Sequence, residues 1–479
     1  MTDVSAFVNQ LQSVLQGTVA SPVGTQACAS QGSQSLQACV AQAHPSPANP
    51  VVNPVETQAS PHPSPIPAVA KQIKIMIVST HTNQMNGYSK VAHNLIHQLS
   101  AHPWISVVHF GTQKMVSADL GRPYPANVKV IDATALEKDK QAGFALLELP
   151  TVILSERPDV VLIYNDLSVI CAYIEQIRKV VEQRFFKVWA YVDMTAPAAP
   201  PAMIDVLNRD VDRVFCFTKS WKEVIKSQGI TRPVDVLPHA VDPAMFRAIP
   251  RDVARQTLGL PRDVFLFTSV NKNIPRKRLD LLIIAFVKVM TRFPLKNLFL
   301  LIVADKGDRG GFSLFDIFAR EIKREGGTVE MFGNRMMITS KDTCYKDEDI
   351  NLLYNCGDVN ISCAEGEGFG LCTFESMFLG VPQIAPAIHG YTEYCTEKNS
   401  LLVKPTLRAY LPQAYGPVTG EVQMVNPDDV AAAMERYVGD DALRAHHAKA
   451  GRETCAAYTW ESVTAVLVKR LQALREEDD

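Results

Sequence analysis

Residues 365–375 read Glu-Gly-Glu-Gly-Phe-Gly-Leu-Cys-Thr-Phe-Glu. What flanks this stretch decides the fold. An apolar run with strand character, Val359–Ser362, precedes it, and a helical pattern over Thr373–Leu379 follows. Gly368 and Gly370 let the backbone come close to a ligand. Unpaired amides from Gly370 to Thr373, with Phe369 and Leu371 beside them, would open the helix, and such a helix start is an anion site suited to a pyrophosphate. Glu367 lies on the loop and Glu375 about one turn inside the helix. A carboxylate beside an anion site is repulsive unless it faces neutral hydroxyls or a cation. Both glutamates therefore read as hydroxyl-recognising groups, one for a sugar and the other for ribose.

Outward from this loop the same strand–helix alternation runs in both directions. Towards the C-terminal half, strands are expected near Phe265–Val270, Leu298–Val303, Val329–Phe332, Val359–Ser362 and Gln383–Ala385, with helices near Leu279–Thr291, Phe315–Glu325, Asp347–Tyr354 and Thr373–Leu379. Upstream, strands are expected at Ile73–Ser79, Ile105–Phe110, Val128–Ile131, Val160–Tyr164, Phe186–Val192, Arg213–Phe217 and Val234–Leu237. Helical patterns fall between most of them, as at Lys90–Leu99, Ile170–Val180 and Trp221–Ser227. This alternation predicts an α/β chain with parallel sheets covered on both faces. It restarts after Arg251, so two doubly wound Rossmann-like domains are expected, with ligands beyond the carboxyl ends of the strands, in the cleft between the domains. The boundaries read as a tail over 1–70, an N-terminal acceptor-side domain over 71–243, a C-terminal donor-side domain over 244–455, and a C-terminal helix over 456–479 that is free to cross back to the first domain.

The first 70 residues contain no Lys or Arg, and prolines recur from Pro45 to Pro67. Such a segment buries too little apolar surface to offset its ordering entropy, so a disordered tail is expected, with a short helical face at Phe7, Leu11 and Leu15 as its one exception.

Composition removes several classes of function. A net charge of −2 gives no basic surface for nucleic acid. The ten cysteines form no CxxC pair, so no zinc site or other metal is expected, and those in apolar runs, such as Cys216 and Cys363, read as buried thiols in a reducing compartment. No stretch approaches the ~18 apolar residues of a membrane span, and no basic-then-apolar leader opens the chain. A cytoplasmic protein is expected, with peripheral membrane contact left open.

Ser269-Val270-Asn271-Lys272-Asn273-Ile274-Pro275-Arg276-Lys277-Arg278-Leu279-Asp280 follows a strand and opens a helix. Cations at a helix start oppose its dipole, so these are expected to serve a ligand rather than the helix. Taken with Glu367-Gly-Phe-Gly-Leu, Glu375-Ser-Met and Gly380-Val-Pro, this segment resembles the signature of retaining glycosyltransferases of the GT-B fold, family 4. The resemblance runs from Ile73 to Leu474 and rests on several motifs in the right order. It implies a transferase that moves a hexose-type sugar from a UDP- or GDP-sugar to a glycan or other hydroxyl acceptor, with retention, without a cofactor and without metal. It implies that Lys277 and Lys272 hold the donor diphosphate. The family usually has Arg at the first of these positions; Lys272 keeps the charge but loses the bidentate fork, which Arg276 could supply.

Three further segments match with departures. Pro238-His239-Ala240-Val241-Asp242 resembles a Pro-His-Gly-Val-Asp junction, with Ala240 for Gly; His239 is an acceptor-side candidate, although His239 and Asp242 also read as turn residues. Asn86-Gly87-Tyr88-Ser89 resembles the family's glycine turn near the donor, which implies a donor contact at Gly87, and it reads equally as an ordinary strand-to-helix turn. Asp193 stands where many members carry a His on the donor sugar, so it is a catalytic candidate alongside Glu367 and Lys277, and sugar preference does not carry over from His-bearing members. Asn165 and Asp166 end another strand and are acceptor-side candidates. In His389-Gly390-Tyr391-Thr392-Glu393, Glu393 reads equally as an anchor and as a ligand contact. Two other readings stay in play: a non-enzymatic binding or scaffold protein of this fold, and a nucleotide-sugar epimerase.

Overall fold

The computed structural model describes residues 72–115, 119–138, 142–181, 183–304, 311–339, 345–410 and 420–477. The expected tail and its Phe7–Leu15 face lie outside the described residues.

The first sheet is built from β1 (Ile73–Thr80), β2 (Ile105–Thr112), β3 (Lys129–Asp132), β4 (Val160–Asp166), β5 (Lys187–Asp193), β6 (Arg213–Cys216) and β7 (Val234–Val236). The second is built from β8 (Phe265–Val270), β9 (Leu298–Val303), β10 (Met336–Ile338), β11 (Val359–Ile361), β12 (Gln383–Pro386) and β13 (Leu401–Val403). The strand orders are β3-β2-β1-β4-β5-β6-β7 and β10-β9-β8-β11-β12-β13, and every pairing in both is parallel. Both are Rossmann-type orders, in which direction reverses between β1 and β4 and again between β8 and β11. At those two reversals the chain leaves the sheets to opposite sides and opens a crevice. The loops after β1, β4 and β5 therefore face one crevice, and those after β8 and β11 the other. A separate antiparallel hairpin, β14 (Leu407–Tyr410) with β15 (Glu421–Met424), stands outside both sheets.

Strands covered on both faces must be apolar along their length. Leu298–Val303 is the clearest case, with all of Leu-Phe-Leu-Leu-Ile-Val buried. Each sheet has its own core, and a third buried cluster runs from Ile73, Val91 and Phe217 through Phe369 and Phe374 to Trp460 and Leu467. The chain passes between sheets along Leu237–Phe246. Asp242 turns it by accepting from the amides of Phe246 (2.9 Å) and, through Oδ1, Ala244 (2.9 Å). Asn351 and Asn355 then accept from the amides of Arg247 (3.1 Å) and Ile249 (2.9 Å) and hold the linker against helix Asp347–Asn355.

The C-terminal helical region divides into Pro427–Gly439, Asp441–Ala456 and Trp460–Glu477. The last of these packs on helix Gly87–Ser100 of the first sheet's layer, and Arg470 holds both oxygens of Asp235 in β7 at 2.9 Å. Among the described residues no helix is long and apolar enough to cross a membrane.

One expected strand is wrong. Val329–Phe332 is a short helix, and the edge strand is Met336–Ile338. Thr328 explains the error: its hydroxyl accepts from the amide of Met331 (3.3 Å) and caps a helical turn, so a local side-chain bond outcompetes the β-branched pattern.

Candidate active site

The loop after β11 and the turn after β8 meet over Glu367. The turn Pro275–Lys277 presents two cations on successive residues. Lys277 Nζ donates to Glu367 Oε1, and an Arg276 guanidinium nitrogen lies 3.1 Å from Oε2. Arg276 also donates to the carbonyl of Gly366, and its own carbonyl accepts from the amide of Glu365 (3.0 Å), so the two segments are locked by main-chain bonds as well. Burial alone would raise the Glu367 carboxyl; the two cations outweigh it and hold the group below the usual carboxylate range.

Gly370 caps helix Leu371–Phe378 with φ +85°. A Cβ there would lie 2.3 Å from Tyr391 Cε1, so both conformation and space require glycine. The Tyr394 hydroxyl donates to the Gly370 carbonyl (2.8 Å), and Tyr391 donates to Ser362 Oγ (2.7 Å). The helix geometry leaves the amides of Leu371, Cys372 and Thr373 without acceptors of their own, beside Lys277. Phe369 is buried, 4.8 Å from the His239 ring.

The first sheet supplies the facing wall. Asp166 and Asp193 are register partners at the ends of β4 and β5, so their carboxylates emerge side by side. Tyr88, one residue after Gly87, donates to Asp193 Oδ2 (2.7 Å). Burial, and then the Asp166 carboxylate, push Asp193 up to about 7. Asp166 is raised by burial too. Asp193 Oδ1 is buried without a hydrogen-bond partner. It lies against Gly368, where a Cβ would stand 1.8 Å from it. Asp166 and Asp193 also border a shallow hollow of about 30 Å³, whose other walls include Leu167, Met194, Ala199 and Met203.

The walls are tied together directly. Thr218 caps helix Lys219–Ser227, and from that helix Trp221 Nε1 donates to the carbonyls of Glu367 (3.1 Å) and Gly368 (2.8 Å). Ser220 Oγ donates to the carbonyl of His389 (2.8 Å). Glu393 accepts from the amide of Lys219 (2.9 Å). Deeper in, Arg122 grips Asp347 through two bonds (2.7 and 2.8 Å). Lys90 donates to both oxygens of Glu375 (2.8 and 3.0 Å), and Tyr354 donates to one of them (3.0 Å).

The structure thus brings Glu367, Lys277, Arg276, Gly368, Phe369, Gly370, Leu371 and Asp193 to one place, with Gly87 opposite Leu371 and Asp166 at the neighbouring hollow. Glu375 sits one helical turn away, held by Lys90 and Tyr354. Lys272 is exposed and forms no ion pair among the described residues. Asn165 is buried and accepts from the amide of Asp166 (2.9 Å). His239 is 4 % exposed and boxed by Tyr164, Tyr191, Phe217 and Phe369. This packing sets His239 at the domain junction, between rings of the first sheet and Phe369 of the second. Both its ring nitrogens are unpartnered, and burial pushes its pKa down to about 3, which keeps the ring neutral.

Sequence reasoning missed Tyr88, Lys90, Trp221 and Arg122. A lysine in the first turn of a helix, where it opposes the dipole, was the available signal for Lys90. A buried tryptophan whose N–H needs an acceptor was the one for Trp221. Nothing local marks Arg122, which acts on a residue 225 positions away.

The fold is that of GT-B glycosyltransferases, and residues 262–414 match the family described as Glycosyl transferases group 1. Among similar proteins, a D-inositol 3-phosphate glycosyltransferase of Nocardiopsis dassonvillei is 25% identical over 258 residues, 53% of this chain and 54% of that protein. Another of that description, from Nocardioides, is 24% identical over 230 residues, 48% of this chain and 46% of that one. The chain spans about half the length of these curated relatives. Among solved structures, the sucrose-phosphate synthase of Thermosynechococcus elongatus superposes with a TM-score of 0.64 at 17% identity, over 84% of this chain and 99% of that one. Anabaena HepE, in complex with UDP and glucose, gives 0.61 at 14% identity over 84% and 100%.

Proposed function

We propose that this protein is a retaining, metal-independent glycosyltransferase of family 4 that moves a hexose-type sugar from a UDP- or GDP-sugar to a hydroxyl acceptor. The observation that carries this reading is Glu367, buried between Lys277 and Arg276 at the start of helix Leu371–Phe378 and facing Asp193 across the cleft.

In this reading the donor diphosphate takes the place beside the Leu371–Thr373 amides. Lys277 and Arg276 neutralise the charge that grows on it as the sugar leaves, where fixed cations in a dry site have their largest effect. They do what a divalent metal would otherwise do. Glu367 is freed from part of its pairing and accepts from a sugar hydroxyl, while Glu375 faces the ribose. The acceptor hydroxyl approaches from the hollow beside Asp166 and Asp193. An ionised Asp193 stabilises positive charge developing on the sugar ring. Retention follows if the leaving phosphate takes the acceptor's proton while the new bond forms on the same face; no side chain is then required as a strong base. Closure excludes water that would otherwise hydrolyse the donor. The Anabaena protein, solved with UDP and glucose, makes UDP-glucose the first donor to try. The buried free thiols fit a reducing compartment, so we place the protein in the cytoplasm.

NMR of a transfer product tests the reading. An α-configured donor should give an α-linked product; a β-linked product would overturn retention.

A further inference from the structure

Lys90 belongs to neither of the motifs that define the site, yet it is buried at the cleft between them. It stands in the first turn of helix Gly87–Ser100, where the helix dipole opposes it, and no acidic residue offsets it there. Its ammonium is packed 4.5 Å from the Phe246 ring centre, with a side chain only 15% exposed. Burial works against its charge, and Glu375 and then Asp347 outweigh that. Desolvating a lysine in this way contributes little net stability, because the Coulombic gain is offset by lost hydration. A positional role explains it better. Asp347, 3.5 Å away, already holds Arg122 through two bonds, so Glu375 is the partner that depends on Lys90.

We infer that Lys90 is a positioning residue of the donor site supplied by the opposite sheet: it fixes the Glu375 carboxylate for the nucleoside, so that nucleoside recognition and closure of the cleft are one event. The inference rests on the transferase reading. Lys90 and Tyr354 together direct three hydrogen bonds at Glu375. A carboxylate has about four lone-pair directions, so about one is left for a hydroxyl. Burial pushes the Glu375 carboxyl up, and the Lys90 ammonium opposes that and favours the ionised, accepting form. When the sheets separate, Glu375 loses its cation and two of its three hydrogen bonds together.

The test is calorimetric binding of UDP, GDP and ADP, and of inorganic pyrophosphate, to the full chain. Lys90→Met keeps the length and removes the charge. It should weaken the preferred nucleoside diphosphate about tenfold, the loss of one charge-assisted contact. Pyrophosphate, which needs only Lys277, Arg276 and the helix amides, should bind as before, and Lys90→Arg should recover part of the loss. Equal loss of both ligands would mean a general loosening of the cleft and would overturn the inference. So would unchanged or tighter nucleoside binding. If Lys90→Met does not fold, Tyr354→Phe removes the other donor to the same carboxylate and should show the same selective loss; no selectivity there overturns the inference equally. A wild-type protein that binds none of the three nucleotides would overturn the transferase reading itself, whereas normal wild-type binding with an unchanged variant removes only the role of Lys90.

Discussion

Asp193 carries the sharpest residue-scale consequence. Its folded-state pKa of about 7 lies above the ordinary value, for burial first and Asp166 second. A carboxylic acid raised by folding destabilises the fold increasingly from its unfolded value up to its folded one, and fully above it. Asp193→Asn should therefore raise Tm, and by more at pH 8 than at pH 5, in paired thermal melts. The same substitution should lower turnover at pH 8, since it removes the ionised form that the proposed chemistry uses. In the wild type, kcat should rise with pH through about 7. A flat profile would remove Asp193 from the chemistry. The cations divide just as sharply: Lys277→Ala should lower kcat by about 100-fold or more, while Lys272→Ala, exposed in this structure, should change it little. Glu367 and Glu375 were legible as candidates because they share one strand-to-helix segment, and Lys277 because it stands in another, 90 positions earlier. The pairing of Glu375 with the other sheet was not, because Lys90 and Glu375 stand 285 positions apart.

At the scale of elements, the glycine loop is held by the first sheet as much as by its own. Gly368→Ala would push a Cβ into Asp193 Oδ1, so the loop must withdraw. The expected cost is about 1–3 kcal/mol, with a loss of activity larger than the stability loss alone explains. Denaturant melts set beside initial rates would show this. Trp221→Phe keeps the ring but removes the donor shared by the Glu367 and Gly368 carbonyls. It should cost about 1–2 kcal/mol and speed amide hydrogen exchange in residues 365–370. The strands were readable wherever both faces are covered, as in Leu298–Val303. Val329–Phe332 failed because four residues carry no period, and one capping threonine decided the outcome. The linker at Asp242 was readable as a turn, but its anchoring by Asn351 and Asn355 depends on a helix from a distant part of the chain.

For the whole molecule, the two sheets share one buried apolar cluster, in which Phe217 of the first meets Phe369 and Phe374 of the second, and polar links add to it at the cleft: Arg122–Asp347, Lys90–Glu375, Trp221 with the loop carbonyls, and Lys219–Glu393. On the proposed reading, the polar links are the part of this contact that would break and re-form as a donor enters and water is excluded. The last helix, Trp460–Glu477, spans back to the first sheet with Leu467 and Leu471 fully buried. Leu467→Ala should cost about 2–5 kcal/mol, whereas Arg470→Met, which removes only the partly exposed Arg470–Asp235 pair and leaves Arg213 on Asp235, should cost less than about 1 kcal/mol. Two parallel sheets were visible in the sequence because alternation restarts after Arg251; their mutual contact was not, since it is made by single side chains scattered over the chain. The central claim is that Glu367 and Lys277 act together on a nucleotide-sugar. Nucleotide release from a panel of UDP-, GDP- and ADP-sugars measures it most directly. The account predicts slow acceptor-free release from one donor, lost in both Lys277→Ala and Glu367→Ala. Release from none of them, with no thermal stabilisation by any nucleotide, would contradict it and leave a GT-B-fold scaffold.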